Sequence, residues 1–393
     1  MPEELPPAPR IDDLLADAVA AGDMPFVLGG VTDRTGRARL FTHGRCARSG
    51  RAVRPDSVFW IASMTKALTS VAAMQLVERD KLPLGTPVGA VLPPLLGRRI
   101  LDGFDSAGAP VLRPATRPIT LRHLLSHSSG FAESVWSADI RRWHAVTNHP
   151  QVATGRLAGL DIPLLFEPGS GWHYGIGHDW VGQAIEAAGG QSLDRCFARQ
   201  LFAPLGMRDT VHHLDEGRRM RLLSVHRRAA DGSLTPIDRA PPPAEREFLS
   251  GGGTMFSTAP DYLAFLAMLI NDGEAAGQRL LQSGTVARMA QNETGDLATS
   301  RLDPAMPELS HPVEFLPGRR KAWGLGMMVN LEDLPTGRRA GSLSWGGLGN
   351  TYFWADPAAG LAGVLMTQIL PFADPRTLAL FEAFEKACYD RYG

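Results

Sequence analysis

Lysine is scarce in this chain. Only four of its 40 basic residues are lysine and the rest are arginine, so each lysine carries more information than usual. Cysteine is scarcer still: Cys46, Cys196 and Cys388 are odd in number and far apart, which excludes a disulfide frame and reads as reduced thiols. No apolar run reaches the ~20 residues that a membrane-spanning helix needs. The amino terminus, Met1 to Arg10, lacks the cationic start and apolar core of a signal peptide, and the expectation is a cytoplasmic protein. Net charge is only −1, with no long run of one sign, which argues against nucleic-acid and membrane partners. Nowhere does Gly-x-Ser-x-Gly occur, so the nucleophile elbow of the α/β-hydrolases is excluded.

Metal and nucleotide signals are equally thin. His123 and His127 stand four apart, but no acid of the His-Glu-x-x-His kind lies between them and no third ligand follows. A helix end closed by Gly130 is the reading preferred there. His212-His213 is a weaker signal still. The glycines at 251–253 lack the Lys-Ser/Thr ending of a phosphate loop. No metal or organic cofactor is implied.

What remains is ample for a large core. The 393 residues are 44% hydrophobic and 21% charged, the composition of an ordinary globular protein of two or three domains. Between Asp56 and Glu78 the only charged side chain is Lys66, in a run suited to a buried helix. Helical spacing puts Ser63 and Lys66 one turn apart on one face. Burial disfavours an ammonium, so an amine there is expected to be neutral and able to accept a proton. A serine beside such an amine is an activated nucleophile, and Ser-x-x-Lys is the pattern of serine acyl-enzyme formers. The plainer alternative is a buried helix whose lysine snorkels to the rim.

Along the chain, Ile11 to Ala21 reads as an amphipathic helix. Phe26 to Val31 and Ala38 to Thr42 read as a hairpin. From about Pro87 to Arg239 the patterns are helical or irregular, clearest at Asp179 to Ala188 and Leu193 to Leu201. Pro236 to Glu247 reads as an extended connection, and Thr258 as an N-cap with Asp261 in a capping box. Strands return at Trp323 to Leu331, Gly341 to Trp345, Thr351 to Ala355 and Leu361 to Ile369, before a closing helix at Thr377 to Tyr389. The expected architecture is α/β: residues 1–85 with 245–393 form a sheet flanked by helices, and 86–244 form a mainly helical insertion.

A Ser-Lys nucleophile needs a second proton carrier and donors for an oxyanion. Tyr174 lies in a loop dense in turn residues, where catalytic groups are often displayed. Leu343-Ser-Trp-Gly-Gly-Leu348 runs from a strand into glycines, whose missing Cβ atoms let a substrate approach the backbone. Taken as ordinary features, these are a half-buried tyrosine and a tight turn.

The ordered set Ser63-x-x-Lys66, Pro-Gly-Ser-Gly-Trp-His-Tyr174 and Ser-Trp345-Gly-Gly347 resembles the family VIII carboxylesterases, esterases on the fold of class C β-lactamases and penicillin-binding proteins. His-Leu-Leu-Ser-His-Ser-Ser-Gly130, Pro-Leu-Gly-Met207 and Gly-Gly-Gly-Thr-Met-Phe-Ser-Thr258 also resemble that superfamily. Leu101 to Gly108, Leu331 to Leu334 and Gly341 to Leu343 look closer to the fungal statin side-chain acyltransferase. The resemblance implies a serine β-lactamase-like fold with Ser63 as nucleophile, Lys66 as proton acceptor and Tyr174 as partner in the relay. It also implies an oxyanion hole from the backbone N–H groups of Ser63 and Leu348, with substrate lying along Trp345, Gly346 and Gly347. Two departures from the β-lactamases matter. Tyr174-Gly175-Ile176 replaces Tyr-x-Asn, and Trp345 stands where those enzymes carry a lysine, leaving Arg338 or Arg339 as candidate cations. An aromatic wall favours apolar acyl or alcohol groups. The expected function is hydrolysis of short to medium acyl esters, the partner being a small-molecule ester. Acyl transfer to an alcohol, weak lactam hydrolysis and a non-catalytic binding role are the alternatives.

Overall fold

The computed structural model describes residues 4–238, 245–299 and 301–393. Twelve elements carry the architecture. In chain order they begin with helix α1 (Pro9–Ala20), strands β1 (Phe26–Asp33) and β2 (Ala38–Gly44), and helices α2 (Thr65–Val77), α3 (Gly177–Gly189) and α4 (Ala259–Ile270). Strands β3 (Lys321–Trp323), β4 (Met328–Asn330), β5 (Leu343–Gly347), β6 (Thr351–Asp356) and β7 (Leu361–Met366) follow, and helix α5 (Pro375–Tyr392) closes the chain. The seven strands form one antiparallel sheet in the order β3-β4-β5-β6-β7-β1-β2. Both chain ends therefore meet in one layer, with Gly29 of β1 opposite Leu365 of β7.

Alternation along the strands divides the core between two faces. Val27, Val31, Trp354, Leu361 and Leu365 pack with Ile11 and Leu15 of α1 and Phe384 of α5. Their neighbours Phe26, Leu28, Phe353 and Val364 point the other way, into a larger core with Leu263 and Leu266 of α4 and the apolar side of α2. Helix α2 is buried from Thr65 to Leu76. An all-round apolar helix of this kind belongs at the centre of a protein.

The region between α2 and α4 is less purely helical than its sequence predicts. Arg99–Phe104 pairs with Pro110–Pro114, and His226–Arg228 pairs with Leu234–Pro236 on one side and, in parallel, with Ile369–Leu370 on the other. Proline at both ends of the second strand of the first hairpin hides it from a reading by propensity. The helix expected to close at Gly130 spans only Leu121–Leu125; His127 is the left-handed residue that follows, with φ +58°. The expected strand from Trp323 to Leu331 is split into β3 and β4 by a turn in which Gly326 has φ +99°. A Cβ at that glycine would lie 1.8 Å from Ser70 Oγ of α2, so sheet and helix meet there because the side chain is missing. Part of the predicted connection from Pro236 to Glu247 falls outside the described residues. Among those described, no helix is long and apolar enough to cross a membrane.

Arg338 and Arg339, the alternative candidates for a cleft cation, are each paired with an acid. Arg338 is buried and pairs with Glu385 of α5 at 2.7 Å. Arg339 pairs with Asp333 at 3.2 Å on the surface. A buried charge left without its partner is costly. Glu385→Gln is therefore expected to destabilise the fold by about 3 kcal/mol, read as a lower urea midpoint with an unchanged m-value. A shift of under roughly 0.5 kcal/mol, the size of an ordinary surface change, would show the pair to be dispensable.

Candidate active site

Ser63 sits in a single 3-10 turn, Ala62–Met64, that feeds directly into α2. The residue before it, Ala62, has φ +45°, a conformation costly for a residue with a Cβ and concentrated at functional sites. The turn is held from three directions. Ile61 N donates to Met255 O at 3.1 Å, Thr65 Oγ1 to Ala62 O at 2.6 Å, and Tyr262 Oη to Met64 O at 3.0 Å.

One turn along, Lys66 is 3% exposed. Its Nζ donates to Ser63 Oγ at 3.2 Å and to the carbonyl of Gly252 at 2.6 Å. It also lies 4.7 Å from the centre of the Tyr174 ring. The structure thus brings Ser63, Lys66 and Tyr174 together. The charge state expected of the lysine needs correction. Burial alone pushes its pKa down, but Tyr174, Glu133 and Asp179 outweigh burial and the net shift is upward. The upward shift favours the ammonium form, and burial without its surroundings is a poor guide.

Two of those surroundings carry no site signal in the sequence reading. Asp179 lies in the first turn of α3, and its Oδ1 accepts from the Ser250 hydroxyl and, at 3.2 Å, from Gly252 N. It fixes Gly252, whose carbonyl accepts the hydrogen bond from Lys66 Nζ. A Cβ at Gly252 would lie 2.7 Å from Asp179 Oδ2, so the predicted glycine run serves close packing. Thr69 Oγ1 adds a bond to Gly251 O at 2.7 Å. Glu133, half-buried, is the second acid, and burial raises the pKa of both carboxyls. Asp179 does not stand out in the sequence of α3, which also carries His178, Gln183 and Glu186.

Tyr174 is 1% exposed and set among aromatic rings. His127 lies at 4.5 Å, Trp136 at 5.0 Å and Trp345 at 5.1 Å between ring centres. Trp345 was expected as an apolar wall for substrate. It is 5% exposed, and its indole N–H donates to Tyr174 Oη at 3.0 Å. It therefore engages the tyrosine directly. Trp345, Gly346 and Gly347 pair with Thr351–Phe353 on one edge of β5, while β4 pairs only with Leu343 and Ser344 on the other. At the end of β5, a Cβ on Gly347 would sit 2.2 Å from Ile61 O. Leu348, the next residue, packs with Trp60 and Ala62, so its segment and that of Ser63 lie side by side.

His123 and His127 do not converge on a cation. His123 Nδ1 accepts from Thr120 N at 3.3 Å in a capping box, and His127 is buried beside Tyr174. Among the described residues no group of three His, Cys, Asp or Glu side chains is placed to hold a metal ion. A hydroxyl in contact with a buried amine, a phenol against that amine and a strand running past both suit acyl transfer through the serine.

Comparison with known proteins gives the family and the fold. The family model described as Beta-lactamase matches residues 11–386. Monacolin J acid methylbutanoyltransferase of Aspergillus terreus is 35% identical over 348 residues, covering 86% of this chain and 83% of that protein. Lovastatin esterase of Penicillium rubens is 32% identical over 360 residues, covering 86% of each. The solved structure of a LovD6 mutant of simvastatin synthase from Aspergillus terreus superposes with a TM-score of 0.84 at 31% identity, over 98% of this chain and 96% of that one. The fold is that of the serine β-lactamases and penicillin-binding proteins. The chain belongs to the Beta-lactamase family, and within it is a serine hydrolase related to the fungal statin acyltransferases and to lovastatin esterase.

Proposed function

We propose that this protein is a carboxylesterase of the family VIII kind, hydrolysing short to medium acyl esters through an acyl-Ser63 intermediate. The observation that carries the reading is the contact of Ser63 Oγ with the buried Lys66 amine at 3.2 Å, with Tyr174 against the same amine. In the first step Lys66, once it has lost its ammonium proton to water, accepts the Ser63 proton as Oγ attacks the ester carbonyl. The backbone N–H groups of Ser63 and Leu348 receive the oxyanion. Tyr174 passes a proton to the departing alcohol, and a water activated at Lys66 and Tyr174 then releases the acid. The aromatic surroundings of Tyr174 favour neutral substrates. With Arg338 and Arg339 engaged elsewhere, neither of the two candidate cations pairs with a lactam carboxylate.

A second reading has its own support. A methylbutanoyltransferase and a lovastatin esterase are relatives at similar identity, and one acyl-enzyme serves both an alcohol and water. Adding an alcohol acceptor and measuring the partition between transfer and hydrolysis separates the two.

Hydrolysis of a 4-nitrophenyl series from acetate to laurate is expected to peak at short to medium chains. Ser63→Ala is expected to lower kcat by roughly 10⁴-fold or more. Activity that persists in this variant would sink the acyl-Ser63 mechanism. The pH dependence follows from the ammonium. A raised pKa keeps Lys66 charged above the ordinary lysine value of about 10.4, and below that point the neutral fraction grows with pH. kcat/KM should therefore climb about tenfold per pH unit between pH 6 and 9. A profile that levels off near neutrality would assign the proton to another acceptor.

A further inference from the structure

His127 lies outside the Ser63–Lys66–Tyr174 set, yet it touches Tyr174 on three sides. The tyrosine sits in an irregular loop from Pro168 to Ile176, where no helix or strand ladder fixes its backbone. The N–H groups on either side of it find their partners on one residue. His173 N donates to the His127 carbonyl at 3.0 Å, and Gly175 N donates to His127 Nδ1 at 3.3 Å. The imidazole meanwhile lies 4.5 Å from the Tyr174 ring, tilted by 40°.

This arrangement has visible costs. His127 adopts φ +58°, which residues with a side chain avoid and Asn, Asp and His tolerate best. Gly175 must lack a Cβ, since one would lie 2.4 Å from Phe131 O. The ring is wedged between His178, 5.0 Å away, and Trp323, also at 5.0 Å. His178 is itself held by Ser70 Oγ at 3.1 Å. Because Gly175 N donates to Nδ1, that nitrogen is the acceptor and the neutral ring carries its proton on Nε2. Burial and the neighbouring Lys66 both disfavour a second charge there.

We propose that His127 is the positioning residue that sets Tyr174 against Lys66, by clamping the backbone on both sides of it. The proposal rests on Tyr174 serving the ester chemistry above. The side chain supplies a hydrogen-bond acceptor to Gly175 N, and the left-handed backbone turns the carbonyl onto His173 N.

Two substitutions separate these contributions. His127→Asn tolerates the left-handed backbone and places an amide oxygen near the site of Nδ1. His127→Gly accepts the same backbone but removes the acceptor. On a nitrophenyl ester, the Gly variant is expected to lose roughly 100-fold in kcat with KM little changed, and the Asn variant to recover most of that loss. Circular dichroism and melting curves establish that both are folded. Equal kcat values for the two variants, or a Gly variant as active as the wild type, overturn the proposal. Should the Gly variant not fold, an Asn variant more than roughly 30-fold below wild type does so alone. The rate at which a fluorophosphonate labels Ser63 gives the same ordering without an ester substrate. A wild type inert to nitrophenyl esters therefore counts against the esterase reading and leaves the role of His127 decidable.

Discussion

A cation held in the interior is the constraint on which the rest depends. Lys66 lies within α2, a helix buried from Thr65 to Leu76, and an ammonium there is tolerable only if fixed negative ends of dipoles and acids surround it. The Gly252 carbonyl at 2.6 Å is the nearest of these. Its loop is fixed by Asp179, whose helix packs across α2, and the glycines of that loop allow the approach. Glu133 adds a second acid from another segment. Much of what appears as local oddity, from a charged residue inside α3 to three successive glycines, follows from housing one charge.

The second organising feature is the tyrosine's aromatic enclosure. Trp345 places an N–H on the Tyr174 oxygen where a lysine stands in the β-lactamases that the sequence resembles. A neutral donor can orient a phenol, but it has no charge with which to hold a substrate carboxylate. The proposed preference for neutral acyl groups rests on this change of donor within an unchanged frame.

The sequence was most informative where periodicity and short-range spacing rule. Ser63 and Lys66 one helical turn apart were legible, as were both terminal helices and the strands β1, β6 and β7. Thr258 does cap α4, accepting from Asp261 N, although the Asp261 carboxylate turns instead to Asp209 N and Thr210. What escaped was set by distant partners. The charge of Lys66 depends on Asp179 and Glu133, and the orientation of Trp345 on where the 168–176 loop brings Tyr174. The break between β3 and β4 depends on Ser70 pressing against Gly326. Arg338 looked available for the cleft only because its partner, Glu385, lies far along the chain.

The site is assembled from segments near residues 63, 127, 174, 252 and 345, none of which shares a secondary element with another. Contacts of such high sequence separation cost loop-closure entropy before they repay it. Ser63 and Lys66 can meet within one helical turn, but Tyr174, the Gly252 carbonyl and Trp345 reach them only through the tertiary fold. The full arrangement around the serine is thus a property of the closed sheet, which joins strands from both chain ends, and not of any one segment.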